Sequence, residues 1–133
     1  LAPVFTLATD LIIGSAPPEQ AGAASALSET GSEFGGALGI AILGSIGTAI
    51  YRSALADSAP AGVAPDVLDA ARSTLGGALA AARHLSDAAG AALIDASRDA
   101  FVAGLHVSAD IAAVAALATA LFAAVKLGDI TPR

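Results

Sequence analysis

The sequence predicts an all-α membrane protein: the end of one transmembrane helix, two full transmembrane helices, and a helical hairpin loop between those two. Three observations predict it. Residues 34–51, FGGALGIAILGSIGTAIY, carry no charged side chain. With one preceding turn they reach the ~20 residues that a hydrocarbon core about 30 Å thick requires. Over the whole chain 56% of residues are hydrophobic and 14% charged, with a mean hydropathy of +0.75, whereas an ordinary soluble domain carries about 25% charged residues. The apolar mass is mainly Ala, Gly, Leu, Ile and Val, without Trp, Met or Cys. Such small residues suit helices that approach closely in lipid and would leave a soluble core short of aromatic area.

Composition also excludes several functions. The net charge is −6, and the six Lys and Arg are scattered singly, so no basic patch for nucleic acid exists. Without Cys there is no disulfide framework and no thiolate metal site. No metal-ligand spacing, no nucleophile with an evident base and no phosphate loop stands out, so no enzyme, metal or cofactor is predicted. Gly35-Gly36 lies within an apolar helix rather than after a strand, and His84 and His106 are isolated.

Residues 1–14, LAPVFTLATDLIIG, are apolar but too short to span at 1.5 Å per residue. They lack the basic n-region of a signal peptide and read as the end of a transmembrane helix, which makes the chain a fragment. Asp10 reads as an interfacial or capping acid rather than a buried group on a transport path. Residues 15–21 form a short cytoplasmic link. Pro17-Pro18 stops the helix before it, is tolerated in the first turn of the next, and leaves Glu19 near a positive helix end.

Residues 22–52 form the next transmembrane helix. Gly31, Gly35 and Gly39 make two overlapping GxxxG steps, and Ala37, Ala41 and Ser45, continued by Ala49, make a second small-residue stripe. In water each such glycine costs ~1 kcal/mol of helix stability; in lipid the spacing makes a flat face for a neighbouring helix. Glu29 and Glu33 are four apart, on one face, just before the uncharged run. An acid at that depth costs about 2.5–3.5 kcal/mol on insertion scales and calls for a task or a partner. Tyr51-Arg52 closes the span as an interfacial aromatic and a snorkelling cation.

Residues 53–99 hold half of the charges and read as an amphipathic helical hairpin outside the bilayer. After Pro60 and Gly62, a helix starts at Pro65 with Leu68, Ala71, Leu75, Leu79 and Ala82 on its apolar side, weakened at Gly76-Gly77. Asp69 and Arg72 can pair three apart, and Ser86 or Asp87 caps a further helix. Residues 100–127 form the last transmembrane helix. His106 and Asp110 are four apart near its entry and read as a helix-end pair wetted at the interface; a titratable dyad on a proton path is the alternative. Residues 128–133 form a cytoplasmic tail, to which Lys126 adds charge; its basic residues favour a cytoplasmic C-terminus.

The run PPEQAGAASA from Pro17, then ETGSEFGGALG from Glu29, then Gly44-Ser45 and Tyr51-Arg52 resemble the late helices of fourteen-helix drug:proton antiporters of the major facilitator superfamily, which include quaternary-ammonium efflux pumps. The motif covers about residues 15–52, and the rest agrees more loosely. The resemblance implies the end of helix 12, helix 13, an extracellular loop with a helical hairpin, and helix 14 of a pump in the cell membrane. It implies as partners the bilayer, the missing N-terminal helices, small hydrophobic cationic drugs and protons. In similar pumps acidic residues of helix 13 are implicated in coupling, and the matching positions here are Glu29 and Glu33. An ionised carboxylate attracts a lipophilic cation and a protonated one releases it, so exchange at a shared site is antiport. The competing reading is a non-transporting membrane module that docks through its GxxxG face.

Overall fold

The computed structural model describes residues 2–127, which are helical nearly throughout and contain no strand. Helix α1 is Ala2–Ser15, a 3-10 turn covers Pro18–Gln20, and α2 is Ala21–Ser58. Two short helices follow, α3 at Pro65–Ser73 and α4 at Leu75–Ala82, and α5 is Asp87–Leu127. The residues fall into two compact units that divide within α2, Leu1–Ala41 and Ile42–Arg133. Leu1 and the tail expected at 128–133 lie outside the described residues.

In the first unit the proline pair acts as expected. Pro17 is extended (φ −57°, ψ 146°), and the Gln20 amide donates to its carbonyl at 2.8 Å, which opens the 3-10 turn ahead of α2. Pro18 at the turn's first position loses no helical hydrogen bond, because its missing N–H would have been an orphan there.

Both long helices have the length and hydropathy to cross a membrane. The apolar windows of Pro18–Ser58 and Asp87–Lys126 have mean hydropathies of 1.6 and 1.9, and are only 6% and 0% buried. Helices this apolar and this little buried suit a membrane rather than water. The chain is an all-α membrane protein. At 1.5 Å per residue, α2 and α5 measure about 57 and 61 Å, roughly twice the hydrocarbon thickness. Each therefore continues well beyond the bilayer.

That excess length changes the reading of residues 53–99. The helix of the first span runs through Arg52 to Ser58, and the last helix begins at Asp87 and passes residue 100 without a break. Its first hydrogen bond joins the Gly90 amide to the Ser86 carbonyl at 2.8 Å. The expected helix from Pro65 to Ala82 is two helices. Thr74 between them is extended (φ −158°, ψ 158°), and its Oγ1 accepts the Gly77 amide at 2.9 Å, capping α4. The break thus falls at the capping threonine, before the glycine pair.

The ends of α2 and α5 enclose α3 and α4 in a small core. Tyr51, Leu55, Ala71, Ala78, Ala82, Leu93 and Ala100 are buried, and Leu55 and Leu93 are fully so. Tyr51, the aromatic expected to close the span, packs against protein and is 4% exposed. Its hydroxyl donates to the Ala71 carbonyl at 2.6 Å, one of the last four carbonyls of α3, which no helical amide can reach. Phe101 meets the Tyr51 ring edge to face, with centroids 6.5 Å apart. The expected Asp69–Arg72 pair forms at 3.7 Å, and Asp95 pairs with Arg98 at 3.9 Å; both are exposed enough to contribute little.

Candidate functional site

The uninterrupted α2 helix fixes how the candidate residues share its surface. At 100° per residue, Glu29, Glu33, Ala37 and Ala41 rise along one i, i+4 ridge. Gly31, Gly35 and Gly39 lie two residues on, about 200° around, on nearly the opposite side. The acids are therefore followed along the helix by alanines, while the glycines make a separate face. Both carboxylates are exposed, and neither forms an ion pair among the described residues. A small-residue ridge beside an acid leaves room for a bulky partner there. A Cβ built on Gly31, Gly35 or Gly39 would meet nothing within 4 Å, so that face is open to a neighbouring helix.

Within the second unit the helices meet at glycines that the GxxxG pattern did not select. A Cβ on Gly104 would lie 2.7 Å from the Gly47 carbonyl oxygen, and one on Gly47 would lie 3.0 Å from Ser108 Oγ. Ser108 in turn donates to the Leu43 carbonyl at 3.2 Å, tying α5 to α2. Neither Gly47 nor Gly104 belongs to a glycine repeat on its own helix, so only the facing helix reveals them. Ser45, expected on the packing stripe of α2, is exposed along with Ala37 and Ala41.

On α5, His106 and Asp110 are both exposed, and no ion pair joins them among the described residues. The structure thus leaves the expected pair unformed, although both residues lie on one helix face. Among the described residues no group of three His, Cys, Asp or Glu is placed to hold a metal ion.

No family model and no solved structure matches the chain. Over 115 residues, 86% of its length, the chain is 44% identical to the multidrug efflux pump LfrA of Mycolicibacterium smegmatis, of which it covers 22%. Over 101 residues, 76% of its length, it is 34% identical to the methyl viologen resistance protein SmvA of Salmonella typhimurium strain LT2, of which it covers 20%. The chain spans about a fifth of the length of these curated relatives. Over most of its own length the chain is thus similar to a part of a multidrug efflux pump and of a methyl viologen resistance protein.

Proposed function

We propose that the chain is the C-terminal part of a proton-coupled multidrug transporter of the major facilitator superfamily, which exports hydrophobic, cationic compounds in exchange for protons. The observation that carries this reading is the acid ridge of α2. Glu29 and Glu33 stand one turn apart on an unbroken apolar helix, exposed and without ion-pair partners among the described residues. Intramembrane acids in such a position are functional by default. A lipophilic cation and a proton compete for the same carboxylate, so loading one releases the other. Glu33, deeper in the apolar run, makes the more direct contribution. The names of the relatives support export: one is a multidrug efflux pump and the other confers resistance to methyl viologen.

The glycine face of α2 then serves to dock the transporter's other helices, which supply the rest of the substrate path. In this arrangement the protein lies in the cell membrane, with residues 15–21 and the C-terminus cytoplasmic and α3 and α4 outside. The test is Glu33→Gln and Glu29→Gln in the full-length transporter, with drug-driven proton release read in inverted vesicles. Glu33→Gln is expected to abolish release and Glu29→Gln to weaken it. Unchanged coupling in both variants would overturn the assignment.

A further inference from the structure

We draw no further inference here: the strongest candidate, the half-open apolar groove of the second unit between α2, α5 and the junction of α3 and α4, lined by Leu43, Leu75, Phe101 and Leu105, is an unpartnered face, and nothing in the structure shows what covers it.

Discussion

The two halves of α5 bury opposite things on one unbroken helix. In the first half Leu93, Ser97 and Ala100 are buried, while Asp95, Arg98 and Asp99 face outward. In the second half Val114, Leu117, Leu121 and Phe122 are each at least 65% exposed, and residues 111–125 carry no charge. The backbone is the same; the solvent is not. Where the helix is amphipathic, water lies outside and a small core forms against α3 and α4. Where it is apolar all round, lipid replaces water and nothing inside the protein competes for the side chains. The sharpest way to break this comparison is to truncate a leucine in each half. Leu93→Ala removes a fully buried side chain and is expected to cost about 2–5 kcal/mol. Leu117→Ala, at a side chain 71% exposed, is expected to change stability by less than about 0.5 kcal/mol. Thermal unfolding of the two variants in one detergent measures both; equal losses would mean that the second half packs against protein.

The same contrast explains what could be read from the sequence. The spans were legible because their signal is composition: an uncharged run needs no partner to be recognised. The stop at Pro17-Pro18 was legible because proline acts on its own backbone. The ends of the spans were not. Nothing in residues 87–100 breaks a helix, and the charges at Asp95, Arg98 and Asp99 suggested a change of element where only the solvent changes. The break at Thr74 was masked by Gly76-Gly77, although Ser73-Thr74 after Arg72 is itself a helix-start signal. Tyr51 went unrecognised as a core residue because its partner, the Ala71 carbonyl, belongs to a distant helix end. For the carboxylates the sequence supplied the spacing, and the unbroken helix added the ridge they share with Ala37 and Ala41.

The helix crossing at Gly104 sharpens the comparison at the boundary between the two halves. Gly104→Val places a side chain against the Gly47 carbonyl, and backbone on both sides leaves little room to yield. The expected cost is about 1–3 kcal/mol, with the Ser108 to Leu43 hydrogen bond lost as the helices part. Spin labels placed on α2 and α5 should report the wider separation. An unchanged distance with unchanged stability would show that the glycine contact is not required.

Tyr51→Phe acts at the packed end alone. It keeps the ring and its edge-to-face contact with Phe101 but leaves the Ala71 carbonyl buried without its donor. Loss of about 1–2 kcal/mol is expected, the penalty for an unsatisfied buried acceptor. Faster amide exchange confined to the last turn of α3 is the signature to look for; exchange that rises throughout α5 instead would mean that the hydroxyl supports the whole fold.

The smallest effect is expected at the open glycine face, and there its sign carries the information. In the isolated chain Gly35→Ala meets no atom within 4 Å and replaces a poor helix former by a good one. It should be neutral or stabilise by about 0.5–1 kcal/mol. In the full-length transporter the same methyl group enters a face that, on the proposal above, docks another helix, and it should destabilise there. Melting curves for Gly35→Ala in both contexts separate the two cases. A reversal of sign between fragment and full-length protein identifies the ladder as an interface. A gain in both leaves it facing lipid, and the docking role then moves off the glycine face altogether.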